Sequence, residues 1–291
     1  MTKLPSSPAL LGAPLLALML ALLTSATALA AGAKKECKYN ASAESTVTIA
    51  NQFGTIDVKP SSTPQVSISA TPASDKVQVD CNQVGSRITA VTRFAQNADS
   101  SDGRVDYELS VPQQTNLSIR NAQGAIHLDG VRGDLTLRGD AARVDVSNVT
   151  NSHVHIQTVN GPVTLSHVDG GHIEVLSTSG KVAMTAVSAP KLTVSTTDGD
   201  ISYDGDFGHG GEYWLSNHSG AIDVSLPASA SVDVDARAPR GSVQNDFPLQ
   251  AAKPQPGNAL LSGHSFAGTS NSGSSSVQLR SFSGTIRVKK R

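Results

Sequence analysis

The chain has 291 residues, of which 4% are aromatic and 16% are charged, with 23 basic and 24 acidic side chains. So few aromatic residues disfavour a thick globular core, while abundant Gly, Ser, Thr and Val suit thin β-structure with many tight turns. The net charge of −1 excludes the basic surface that is typical of nucleic-acid-binding proteins.

Residues 1–30 have the pattern of a signal peptide. Lys3 precedes an apolar run from Ala9 to Leu23, and Ala28-Leu29-Ala30 supplies the small residues of a cleavage site. A membrane anchor is the alternative, but the run contains Pro14 and is shorter than the roughly 20 residues that a spanning helix needs. We therefore predict export to the periplasm or the cell surface, with no stable transmembrane anchor after cleavage.

Residues 31–112 are predicted to form a less regular, partly antiparallel N-terminal β-cap. Short runs of alternating apolar and polar residues lie between polar turns there, as in Val66-Ser67-Ile68 and Val77-Gln78-Val79. Cys37 and Cys81, the two cysteines of the chain, also lie in this region. In an oxidising compartment such a pair closes a disulfide, and two buried free thiols are the alternative.

A repeat of about 19 residues dominates residues 113–291 and begins earlier, near residue 54. Each copy has apolar residues seven and five positions before a turn, and two and four positions after it, which is the alternation of half-buried strands. The Ser, Asn or Asp before most turn glycines predicts a positive φ at that corner. The turn positions of the eight copies are Gly54, Gly124, Ala142, Gly161, Gly180, Gly199, Gly220 and Gly284.

The spacing of these turns indicates how the copies are arranged. Successive turns from Gly124 to Gly220 are 18, 19, 19, 19 and 21 residues apart, which favours coils stacked in register over separate antiparallel hairpins. Because parallel crossovers are almost always right-handed, we predict an all-β fold, a right-handed parallel β-solenoid or β-helix. Residues 248–276 are rich in Pro, Gly and Ser, which predicts a long loop before the final coil.

The repeated Ser/Asn-Gly-x-Ile/Val-x-Val/Leu units resemble the bacterial putative-adhesin family, a domain of unknown function. Leu226-Pro227, Gly241-Ser242-Val243 and the closing Ser281 to Ile286 segment share this resemblance, which covers about residues 44–290. The resemblance implies an exported, non-catalytic β-solenoid of the cell envelope, with no catalytic residues and no cofactor. Ala142 departs from the pattern because the usual turn Gly is missing, so we expect a distorted corner there.

Stacking in register predicts a compact outward patch of His153, His155, His172 and Glu174, because neighbouring coils lie about 4.8 Å apart. Imidazole and carboxylate groups are ligands for zinc and other transition metals, so the patch is a candidate metal site. An ordinary solvent-facing surface is the alternative.

Trp214, the single tryptophan, points outward beside Thr193 in the same register. An exposed aromatic ring among polar side chains is a candidate ligand-binding platform for a sugar ring. Packing of Trp214 beneath residues 204–211 is the alternative, and it is the one that we favour from sequence.

These features predict a non-enzymatic binding or structural module of the bacterial envelope, whose partner is an envelope protein or a polysaccharide surface and not a nucleic acid. A periplasmic scaffold or envelope-stress component is one alternative. Another is a chain that assembles end to end and not a monomer, since solenoid ends expose unpaired strand edges. A carbohydrate-active β-helix enzyme is the last, although the short coils build no cleft wall for a pair of catalytic carboxylates.

Overall fold

The computed structural model describes residues 32–42, 45–95, 98–208, 210–251 and 263–291. Every regular element of secondary structure in these residues is a β-strand, which confirms the all-β class. The predicted signal segment, residues 1–30, lies outside the described residues. In the part of the chain that is described, no helix is long and apolar enough to cross a membrane.

The strands fall into three groups along the chain. The first six are β1 (Lys35–Asn40), β2 (Thr46–Ser61), β3 (Gln65–Pro72), β4 (Val77–Val84), β5 (Arg87–Phe94) and β6 (Val105–Pro112). The central eight are β7 (Asn116–Asp129), β8 (Asp134–Thr158), β9 (Val163–Ser177), β10 (Val182–Ser188), β11 (Lys191–Ser195), β12 (Ile201–Asp204), β13 (Glu212–Asn217) and β14 (Ile222–Leu226). The last six are β15 (Val232–Arg237), β16 (Ser242–Asn245), β17 (Gln250–Ala251), β18 (Ser265–Ser270), β19 (Ser275–Ser281) and β20 (Thr285–Lys290).

Equivalent strands of successive coils pair in parallel and in the predicted register. Strand β7 pairs with β8 from Leu117↔Leu135 to Asp129↔Ser147, and the same alignment continues through β9 to β14. The strands before the turns therefore form one ladder, and the strands after the turns form a second. The apolar residues at the four repeat positions lie between the two ladders, and none of them is more than 2% exposed. They form the narrow aliphatic core of the molecule.

Close backbone approach explains the turn glycines. A Cβ atom at Gly161 would lie 1.8 Å from the carbonyl oxygen of Ala142 in the preceding turn, and one at Gly180 would lie 2.1 Å from that of Gly161. The predicted positive φ is wrong at all five turns where Ser, Asn or Asp precedes the glycine. Gly54 and Gly124 do have a positive φ, but they follow Phe53 and Gln123. Elsewhere in the coils a left-handed φ occurs six residues after the turn, at Gly130, Asn148, His167 and Ala186.

A column of polar side chains runs beneath the turns, three residues before most of them. Thr158 is typical, because its hydroxyl accepts a hydrogen bond from the Gly161 N–H at 3.0 Å and donates to the Gly161 carbonyl at 3.2 Å. The other side chains that bond turn backbone from this position are Asn51, Asn121, Ser177, Thr196, Asn217 and Ser281.

In the coil of Ala142, the small residue and the residue with a side chain have exchanged positions. Gly139 stands at the position of the polar side chain, and Ala142 stands at the position of the turn Gly. A Cβ atom at Gly139 would lie 3.1 Å from the Cβ of Ala142, so the methyl group of Ala142 adjoins the space of the missing side chain. Strand β8 runs continuously through this corner.

The final strands of the chain lie inside the stack and not at its end. Strand β19 pairs with β13 on one side and with β15 on the other, while β20 lies in the same way between β14 and β16. The end coil is thus the one that turns at Gly241, which the repeat alignment omitted. One of its inward residues is only Ala236, so its apolar pattern is weak.

The loop predicted at residues 248–276 also needs correction. Residues 252–262 lie outside the described residues, but β17 and β18 fall within the predicted range. Strand β18 pairs antiparallel with β15 and covers its edge. An exposed edge presents unpaired backbone N–H and C=O groups that another strand satisfies, and this overrides the Ser- and Gly-rich composition of β18.

The N-terminal region forms strands where the sequence predicted them. The first half of β2 pairs with β5 and the second half with β6, both in parallel, whereas β1–β3, β3–β6 and β4–β5 are antiparallel. A disulfide joins Cys37 of β1 to Cys81 of β4, with Cα atoms 6.5 Å apart. It links the outermost strands of the two ladders. The boundary between cap and solenoid at residue 112 stays a prediction.

Candidate functional site

The ladder of strands that precede the turns has an outward surface, which we call the upstream face. Its outward side chains lie eight, six and four residues before each turn, so each position forms a column that runs along the stack. The candidate metal ligands and Trp214 all lie on this face.

The predicted histidine patch forms as pairs. His153 is in register with His172, and His155 is in register with Glu174. His155 Nδ1 lies 2.8 Å from Glu174 Oε2, whereas His153 Nδ1 lies 3.3 Å from Asp134 Oδ1. Within the described ranges, no three His, Cys, Asp or Glu side chains converge as a metal-binding group. A metal site here stays a prediction, and calorimetry with zinc is its test.

Trp214 lies on one side of an open groove farther along the same face. Trp214 is 40% exposed. Register places Thr193 of β11 on one side of it and Gln278 of β19 on the other. The groove holds about 420 Å³ and is also lined by Lys191, Glu212 and Ser276. The surroundings of the ring are thus largely polar.

The side chain of Arg280 lies over the indole ring of Trp214. The guanidinium carbon of Arg280 lies 5.5 Å from the Trp214 ring centroid, within cation–π range. Arg280 donates hydrogen bonds to the backbone oxygen of Asp235 at 2.6 Å, to its carboxylate at 3.0 Å and to Gln278 at 3.2 Å. Sequence reasoning missed this contact, although alignment of Gly284 with Gly220 already put Arg280 on the same face.

Aromatic packing supports the strand of Trp214 from within. Phe207 stacks on Tyr203 with ring centroids 3.9 Å apart and contacts Tyr213 at 4.7 Å. The Tyr203 hydroxyl donates to the Val187 carbonyl and accepts from the Phe207 N–H. Burial raises the pKa of both Tyr203 and Tyr213, so the cluster stays neutral at physiological pH. Tyr213 adjoins Trp214 in β13, which anchors the floor of the groove.

The repeat pattern of a known family extends over nearly all of the described structure. The sequence pattern of the Toastrack DUF4097 family matches residues 44–289. The chain belongs to this family. The resemblance drawn from the repeated turn units is thereby confirmed. No curated protein matches the sequence.

Solved structures with a similar fold are distant from this Toastrack chain in sequence. One is a putative adhesin from Bacteroides fragilis, 11% identical, covering 88% of this chain and 97% of that one, with a TM-score of 0.47. Another is a putative lipid binding protein from Parabacteroides distasonis, 9% identical, covering 88% and 97%, with a TM-score of 0.45. A putative adhesin from Parabacteroides merdae is 9% identical, covering 88% and 96%, with a TM-score of 0.34. At these scores the likenesses add nothing to the family assignment.

Proposed function

We propose that this Toastrack protein is an exported, non-catalytic, adhesin-like module of the bacterial envelope, which binds a polymer or a partner surface through the Trp214 groove. Its coils are proposed to wind as a right-handed parallel solenoid, the hand that parallel crossovers prefer. The observation that carries the proposal is the exposed indole in a largely polar groove on the upstream face.

The surroundings of Trp214 suit a sugar ring. An indole presents a large apolar face, and aromatic residues of this kind combine apolar contact with a polar edge. Lys191 and Glu212 lie in register beside the groove and are exposed, so their charged ends are free to bond hydroxyl groups. The hydrogen bonds from Arg280 to Asp235 hold the guanidinium against the indole, which reduces the entropy lost on binding.

Substitution of Trp214 tests this proposal. In Trp214→Ala we expect at least a tenfold loss of binding to an array of bacterial cell-wall and capsular polysaccharides, because the stacking surface is removed. Phe282→Ala is the matched control. Phe282 is 39% exposed, but the His218 ring stacks on it at 4.7 Å and the Arg240 guanidinium lies 5.0 Å from its centroid. Equal binding by Trp214→Ala and the unmodified protein, with the fold retained in circular dichroism, would contradict the proposal.

Export rests on the signal-like N-terminus and is supported by the Cys37–Cys81 disulfide, since disulfides persist in oxidising compartments. Protease treatment of intact cells tests the location of the mature chain. Degradation while a periplasmic control survives places the protein on the outer surface. Survival until the envelope is opened places it in the periplasm, and then the partner is an envelope component.

A further inference from the structure

One column of the upstream face carries cations and no carboxylates. It consists of the residues four positions before each turn. In spatial order the column contains Ala50, Arg120, Arg138, Gln157, Leu176, Ser195, Ser216, Arg280 and Arg237.

Two pairs of arginines are in register within this column. Arg280 is the neighbour of Arg237 near one end of the stack, and Arg120 is the neighbour of Arg138 toward the other. In-register residues of adjacent strands are about 4.8 Å apart, and like charges placed directly opposite each other repel. An anion that contacts both guanidinium groups offsets this repulsion.

The pair at Arg280 and Arg237 has such an anion within the chain. Asp235 accepts two hydrogen bonds from Arg237, both at 3.0 Å, and one from Arg280 Nη2, also at 3.0 Å. One carboxylate thus bridges two guanidinium groups. This arrangement shows which chemistry satisfies an arginine pair at this position of the coil.

The pair at Arg120 and Arg138 lacks an equivalent of Asp235. The corresponding positions, two residues before each arginine, are Ser118 and Thr136. Among the residues that the structure describes, neither arginine has a carboxylate oxygen within 4.0 Å, and this includes Asp140, two residues after Arg138. Both guanidinium side chains are exposed.

We infer that Arg120 and Arg138 form a binding site for an anionic group, a carboxylate or a phosphate, on a ligand that lies across the upstream face. The external anion takes the place that Asp235 fills in the other pair. Guanidinium groups bind both kinds of anion through paired N–H donors, and the hydroxyls of Ser118 and Thr136 add two donors beside them. The site is separate from the Trp214 groove and does not depend on it.

Retention on immobilised polymers tests the inference. The probes are polygalacturonate, which carries carboxylates, polyphosphate, and neutral dextran. The site variant is Arg120→Gln/Arg138→Gln. The matched control is Arg143→Gln/Arg287→Gln, which removes the same charge from arginines that pair with Asp145 and Asp223 on the other ladder.

We expect the unmodified protein to bind at least one anionic polymer and not dextran, with at least a tenfold weaker affinity in the site variant. The control variant is expected to stay within twofold. Preference for polygalacturonate or for polyphosphate identifies the carboxylate or the phosphate as the ligand group. Equal losses of affinity in the two double variants would show that net charge alone explains the binding, and the proposed site would be wrong. So would a failure of the unmodified protein to bind either anionic polymer at low salt.

Discussion

Ala186 adopts a backbone conformation that suits glycine. Its φ is +51°, in the left-handed region that costs a residue with a Cβ atom about 1–2 kcal/mol. The equivalent residues in three other coils are Gly130, Asn148 and His167, of which Gly and Asn tolerate this region best. Ala186 is exposed, so its methyl group contributes little packing.

We therefore expect Ala186→Gly to raise the free energy of unfolding by about 0.5–1 kcal/mol, after the greater entropy of Gly in the unfolded chain is subtracted. Urea denaturation of the mature protein measures the change. Ala183→Gly in the same strand, β10, is the control. Ala183 has no positive φ, so this substitution should lower the free energy of unfolding by about the amount that Ala186→Gly raises it. A loss of stability in Ala186→Gly equal to that of the control would show that position 186 is not strained.

The corner of the Ala142 coil predicts a coupling between two residues within one structural element. Gly139→Thr alone puts a Cβ atom 3.1 Å from the Ala142 methyl group, and Ala142→Gly alone leaves a methyl-sized void. The double variant recreates the Thr158–Gly161 arrangement of the next coil, with its two hydrogen bonds. We expect each single variant to lose about 1–2 kcal/mol, and the double variant to recover most of that loss.

A double-mutant cycle from thermal unfolding measures this coupling. Ser177→Ala is the control for the polar column, because it removes a hydrogen bond to Gly180 without adding volume. Additive losses in the double variant would mean that Gly139 and Ala142 do not share one space.

The coils illustrate how far sequence reasoning reached. Apolar residues at fixed distances from the turns predicted the strands, their register and the core, because a stacked coil has only one inward set of positions. The order of coils at the C-terminal end was not predictable in this way. Periodicity orders coils along the chain, whereas β19 and β20 lie between two earlier coils.

The candidate site was predictable only in part for the same reason. Register placed Trp214 and the histidines outward, but the partner of each side chain depends on rotamers. His153 faces Asp134 and not a shared metal position with His172. The bridge from Asp235 to Arg280 required the unexpected coil order, since these residues become neighbours only when β15 lies beside β19.

At the scale of the molecule, the disulfide fastens one end of a stack in which each coil contacts only its neighbours. It joins β1 and β4 across a separation of 44 residues. The chain-entropy relation gives about 4 kcal/mol for a loop of this length. Trp214 lies in β13, far along the stack, so tryptophan fluorescence reports on the opposite end.

We expect Cys37→Ala/Cys81→Ala to lower the free energy of unfolding by about 4 kcal/mol, with the loss concentrated at the N-terminal end, because stacked coils open locally. Backbone amides of β1, β3, β4 and β5 should exchange hydrogen faster, while those of β11 and β13 stay protected. When this double variant is heated, the unfolding transition followed by circular dichroism should occur at a lower temperature than the transition followed by Trp214 fluorescence. The control is the unmodified protein treated with a reducing agent, which should reproduce the double variant. Equal acceleration of exchange in both sets of strands would instead show that the whole stack unfolds as one cooperative unit.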